Sequence, residues 1–186
     1  MKMSSLHDLL VVQLKDLYSA ETQLVKALPK MGKHATSDAL REAIENHLEE
    51  TRGQVERLQK IGEVLDAKLT GHKCQGMVGL IEEGAEVLEA DGPEAILDAA
   101  LVAAAQRVEH YEIAAYGTAR TMAELLGQQE VVELLQQTLD EEKAADQKLT
   151  QIVEGEIYPQ AGQSSEEWAE ENGRRRGGRA KAASAR

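Results

Sequence analysis

The chain has 186 residues, a net charge of −12, four Tyr, one Trp, no Phe and a single cysteine, Cys74. That length suits one domain, or one domain with a tail, and the lone cysteine excludes an internal disulfide framework. The acidic balance argues against nucleic acid as a partner and favours cations.

The charge is uneven. Residues 173–186 carry six basic side chains and no acid, which leaves −18 on the other 172 residues. A composition rich in Ala, Leu, Glu and Gln favours helix over sheet. The start, MKMSSLHDLL, lacks the apolar run of a signal peptide. No stretch reaches the ~20 apolar residues of a membrane span, so a cytoplasmic protein is expected.

In chain order, Ser4 or Ser5 caps a first helix that runs to about Lys33, with Pro29 expected to kink or end it. Its apolar stripe is Leu10, Leu14, Leu17, Leu24, Leu28 and Met31, and Glu21 occupies one of the inward slots. A second helix starts at Ser37–Asp38 and runs to about Lys68. Its stripe passes from Leu40 and Ile44 through His47, Thr51 and Gln54 to Leu58, Ile61 and Leu65, with Glu50 at the edge. Both ends of that helix are apolar, while its middle is not.

Gly71–Gly76 makes a break around Cys74, and a short helix from Met77 to about Glu89 follows as a crossover. Asp91-Gly92-Pro93 then opens the longest helical pattern, Leu97–Met122, in which Glu112 lies near the centre of the apolar stripe and Glu109 on its border. After a break at Gly127, the last helix spans about Glu130 to Glu154. Its stripe contains Glu142 and Asp146 in consecutive core slots. Beyond Tyr158-Pro159 a Gly/Ser/Arg-rich end is expected to be flexible. The predicted division is a bundle over 1–160 and a basic tail over 161–186.

Four helices thus place acids inward near mid-length: Glu21; Glu50; Glu109 with Glu112; and Glu142 with Asp146. His47 adds an imidazole. A carboxylate directed into a core is costly unless something positive or protonated meets it. Like charges ~4 Å apart repel by about 4 kcal/mol at an effective dielectric of 20. A pair of divalent metals removes that cost, and carboxylates with imidazole suit iron or manganese. For a single helix the alternative is a rim residue that snorkels to solvent; four helices aligned at one height favour the metal. Asp146 and Gln54 are alternatively partners that orient the ligands. His110 faces away from the stripe, and His7, His34 and His72 are expected in solvent. Tyr18, Tyr111 and Tyr116 are expected at the core rim, with Tyr18 one turn from Glu21 and able to hydrogen-bond a ligand. Cys74 lacks a CxxC partner or a paired base and is not expected to be a nucleophile.

The stretches HLEETRGQVERL (47–58), VEHYEIAAYGTAR (108–120) and LLQQTLDEEKAADQKLT (134–150) resemble ferritin-like stress proteins of the YciE/YciF type, over residues 4–158. The resemblance implies a ferritin-like four-helix bundle with a long crossover carrying a short extra helix. It also implies a carboxylate-bridged di-iron centre, a role in bacterial stress responses and a homodimer. The ferritin-like pattern is Glu, then Glu-x-x-His, on each pair of helices. Glu21 and Glu112 match it, helix two inverts it (His47-Leu-Glu-Glu50), and the last helix has Glu142 followed at i+3 by Ala145. The expected metal ligands are Glu21, His47, Glu50, Glu109, Glu112, Glu142 and Asp146, holding iron or manganese and acting on Fe(II) with O2 or peroxide. The competing expectation is a helical dimer that acts by binding a partner, with no working metal centre.

Overall fold

The computed structural model describes residues 3–163. The helices are α1 (Leu6–His34), α2 (Asp38–Val64), α3 (Gln75–Leu88), α4 (Glu94–Leu125) and α5 (Gln129–Ile152). No strand occurs among the described residues. Ser5 and Ser37 cap α1 and α2, their hydroxyls accepting from the N–H of Asp8 and Leu40. Cys74 caps α3 in the same way through its sulfur. Gly127, at φ +69°, follows the end of α4 in the left-handed region that a glycine tolerates best.

Two hairpins, α1/α2 and α4/α5, pack as a four-helix bundle, with α1 against α4 and α2 against α5. The crossover helix α3 lies on α1 and α4. This is the ferritin-like arrangement that the sequence led us to expect.

The core is divided in two. One apolar cluster joins Leu10, Leu14 and Leu17 of α1 to Leu58 and Ile61 of α2, Ala119 and Ala123 of α4, and Val131, Leu135 and Leu139 of α5. The other joins Leu24, Leu28 and Met31 to Leu40 and Ile44, to Leu101, Ala105 and Val108, and to Leu149 and Ile152. The start of each helix therefore meets the end of its neighbours, so adjacent helices run antiparallel. On every long helix the switch between clusters falls where the sequence turns polar: Glu21, His47–Gln54, Glu109–Glu112 and Glu142.

Three details differ from the sequence reading. Helix α1 continues through Pro29 to His34, because buried Leu28 and Met31 hold its last turns against the core. Helix α2 ends at Val64, four residues early; the chain folds back so that the Ala67 carbonyl comes within 2.9 Å of where a Cβ on Gly62 would lie. At the other end, α5 passes into a π-helical turn, Val153–Ile157, and helical backbone resumes through residue 163. Buried Ile157 and Ala161 anchor this extension, so Tyr158-Pro159 does not end the helix. The expected basic tail, from 164 on, lies outside the described residues. A buried Asp98 closes the same end of the bundle by accepting from Thr36 N, Thr36 Oγ1 and Ser37 N at 2.6–2.9 Å.

Candidate metal centre

Between the two apolar clusters lies one polar layer. His47, Glu109, Glu112 and Glu142 are all buried, and each offers a ligand atom within 4.8 Å of the others. Glu21 is fully buried at the same level, its Oε1 accepting from the Tyr116 hydroxyl at 2.5 Å. Helical periodicity explains the convergence: each acid occupies a slot of its helix's inward stripe, and the antiparallel packing brings the four mid-points together.

Support comes from beside the layer. Gln54 donates to Glu142 Oε1 at 2.5 Å, and the Thr51 hydroxyl donates to the His47 carbonyl. Arg57 pairs with Glu141 and donates to Thr138, tying α2 to α5 beside Glu142.

The layer is nonetheless short of partners. Eight buried side-chain atoms lack a hydrogen bond: Glu21 Oε2, both His47 nitrogens, Gln54 Oε1, Glu109 Oε2, both Glu112 oxygens and Glu142 Oε2. Among the described residues, every such orphan belongs to this layer. Each costs about 1–3 kcal/mol. The cation-free electrostatics follow suit. Burial, then the charge of Glu142, pushes the Glu21 carboxyl up to about 8. Burial and the neighbouring acids hold Glu112 well above the carboxylate range. Burial likewise raises Glu109 and Glu142, with His47 opposing it. For His47 burial works downward, but Glu109, Glu50, Glu142 and Glu21 outweigh it and raise the ring to about 10.

Two of the seven expected ligands stand apart. Glu50, with 48% of its side chain exposed, has Oε2 3.5 Å from His47 Nδ1, on the solvent side of the ring. Asp146 accepts from Gln106 at 3.0 Å and lies 3.4 Å from exposed His110, away from the buried group. Consecutive core slots on a helix differ in direction by about 40°, and past Glu142 that offset turns Asp146 to the flank.

Tyr116 is corrected too: it is fully buried and hydrogen-bonded to Glu21, where the sequence reading placed it at the rim. Its signal was present, since it lies one turn beyond Glu112 on the same stripe. Tyr18 accepts from Gln59 instead of reaching the layer. Tyr111 and Cys74 belong to a second polar group, in which Asp16 accepts from the Tyr111 hydroxyl, from Cys74 Sγ at 3.1 Å and from His72 Nε2 at 2.9 Å. His72 is thus partnered, although its position in the sequence gave no hint of Asp16.

Four buried carboxyl groups and one imidazole, with eight polar atoms of the layer unmatched, form a hard oxygen-and-nitrogen donor set. That set could hold a metal ion: the orphaned oxygens are the atoms a cation would satisfy.

The fold and this layer define an all-α, ferritin-like bundle with a carboxylate–histidine group in its core. The profile of the family described as "Domain of unknown function (DUF892)" matches residues 5–161, and the chain belongs to that family. It is 46% identical over 162 residues to protein YciF of Escherichia coli strain K12, covering 87% of this chain and 98% of YciF. The crystal structure of YciF, described as a stress protein, superposes with a TM-score of 0.79 at 47% identity, covering 81% of this chain and 96% of that one. The structure of YcfI from Rhodopseudomonas palustris gives 0.78 at 46% identity, covering 80% and 95%. A protein of Xanthomonas campestris, at 22% identity and 0.69, covering 87% and 99%, shares the fold.

Proposed function

We propose that the chain is a di-metal carboxylate protein that binds Fe(II) or Mn(II) and uses Fe(II) to consume O2 or peroxide under stress. The stress association comes from YciF, the relative so described. The observation that carries the reading is the concentration of all eight orphaned polar atoms in one buried layer shared by four helices.

Glu21, His47, Glu109, Glu112 and Glu142 would hold the metals. Once bound, the metals would supply one-electron chemistry toward the oxidant. The chain's own contribution is positional. Gln54 holds one oxygen of Glu142, Tyr116 holds one oxygen of Glu21, and both leave the second oxygen free. The two apolar clusters exclude water on either side. Glu50 faces His47 Nδ1 and would fix the ring so that Nε2 points inward.

Fe(II) or Mn(II) added anaerobically at about 100 times its Kd contributes about 2.7 kcal/mol. For a domain of this size that raises Tm by roughly 5–10 °C. Admitting air to the Fe(II)-loaded protein is expected to consume O2. An unchanged Tm with both metals contradicts the reading and leaves a helical protein that acts by binding partners.

A further inference from the structure

Glu141 precedes Glu142 on α5 and lies outside the buried group, yet it is tied to it. The link is Gln54 of α2, whose side chain is fully buried. Gln54 Nε2 donates to Glu142 Oε1 at 2.5 Å and to Glu141 Oε2 at 3.2 Å, while its own Oε1 has no partner. The amide oxygen therefore does nothing to fix the group; two acids on one nitrogen do. Turning the amide over would set its oxygen against both of them.

Glu141 is itself held. Arg57 forks onto it, Nη1 to Oε2 at 2.9 Å and Nη2 to Oε1 at 2.8 Å. Arg57 Nη1 also donates to buried Thr138 Oγ1, and Gln137 Nε2 donates to Glu141 Oε1 at 3.2 Å. Helical spacing permits this, since Gln54 and Arg57 lie one turn apart on α2, as do Thr138 and both acids on α5. The consequence falls on Glu142. With Oε1 taken by Gln54, the oxygen left for the layer is Oε2, which has no hydrogen bond and lies 3.9 Å from His47 Nε2. A carboxyl group free to turn would offer either oxygen; this one offers a single oxygen in a set direction.

We propose that Arg57 and Glu141 are positioning residues: through Gln54 they aim Glu142 Oε2 into the layer and set how tightly it takes a divalent cation. The proposal rests on the metal-centre reading. The locked amide, however, is a property of the metal-free protein, so the two can fail separately.

The test uses the full chain labelled with 15N-glutamine, the Gln54 amide signal being assigned by its loss in Gln54→Leu. Arg57→Met/Glu141→Leu removes both charges together, so that neither is left unpaired. In the metal-free protein this paired variant should speed solvent exchange of the Gln54 amide protons at least tenfold, with helical content unchanged by circular dichroism. It should also weaken Mn(II) binding at least tenfold, read from the electron paramagnetic resonance of free Mn(II). In a Gln54→Leu background the same two changes should alter Mn(II) affinity less than twofold. The control is Lys60→Met/Glu130→Leu, which removes an exposed ion pair between the same two helices and should change neither readout. Gln54 exchange unchanged in the paired variant overturns the proposal while the metal-centre reading stands. Equal weakening of Mn(II) binding with and without Gln54 also overturns it, because a mere tie between helices would act that way. Absence of Mn(II) binding in the unaltered protein overturns both together.

Discussion

Tyr116 on α4 donates its hydroxyl to Glu21 Oε1 on α1, and both side chains are fully buried. The bond joins the polar layer to one of the two apolar clusters and partners one oxygen of a carboxylate whose other oxygen has none. Burial and the neighbouring acids hold the phenol well above its usual pKa, so it stays a donor. Tyr116→Phe should therefore destabilise the metal-free protein by about 1–3 kcal/mol, the cost of orphaning a buried acceptor. Urea unfolding with and without Mn(II) checks this. The deficit should shrink when the metal is present, because the metal would engage Glu21 directly.

Glu112 has no hydrogen-bond partner at either oxygen and sits among three acids. Glu112→Gln removes a carboxylate and adds an N–H donor that neighbouring acids can accept. The variant should raise the Tm of the metal-free protein by a few °C and abolish the Tm gain on adding Fe(II) or Mn(II). Stability and metal binding should move in opposite directions, a pattern that a purely structural carboxylate would not give.

The pH dependence of the metal-free protein follows from the same crowding. Glu21 rises from 4.5 to about 8 and His47 from 6.5 to about 10 on folding. In both cases the folded state binds more protons than the unfolded one, so stability falls as pH rises. The contribution of Glu21 is fully present below pH 4.5 and lost as pH passes 8; that of His47 is present below pH 6.5 and lost as pH passes 10. Tm without metal should decline from about pH 5 to pH 9. Metal affinity should climb over the same range, because the ligands must shed protons to bind.

How much of this was legible in the sequence depended on periodicity. Glu21, His47, Glu112 and Glu142 each occupy an apolar slot of a long amphipathic helix, so an inward direction could be read from spacing alone, and the four-helix bundle followed from the number of long helical patterns. Glu50 and Asp146 lie at the limits of that argument, where a turn of about 40° decides between core and flank. The contacts of Asp16 with His72, Cys74 and Tyr111, and of Asp98 with Thr36 and Ser37, join residues 56 to 95 positions apart. No local pattern encodes such pairs; only the packing of α1, α3 and α4 creates them. The extension past Tyr158-Pro159 was hidden by the proline, because the apolar anchors Ile157 and Ala161 are too few to register as a stripe.

The Asp16 group has its own signature. Burial works to raise the Asp16 carboxyl, but hydrogen bonds from Tyr111, Cys74 and His72 outweigh it and lower it. Its contribution to stability is present above pH 3.8 and lost as pH falls below. Tyr111→Phe removes one donor and should cost about 1 kcal/mol. It should also raise the midpoint of acid unfolding, as measured by circular dichroism.

The most direct test of the central claim is a metal count on protein purified without chelator and dialysed against Fe(II) or Mn(II). Two equivalents per chain, reduced to one or none in Glu112→Ala while the helical content is unchanged, is the predicted result. No bound metal in the unaltered protein at any Fe(II) or Mn(II) concentration up to the millimolar range would contradict it.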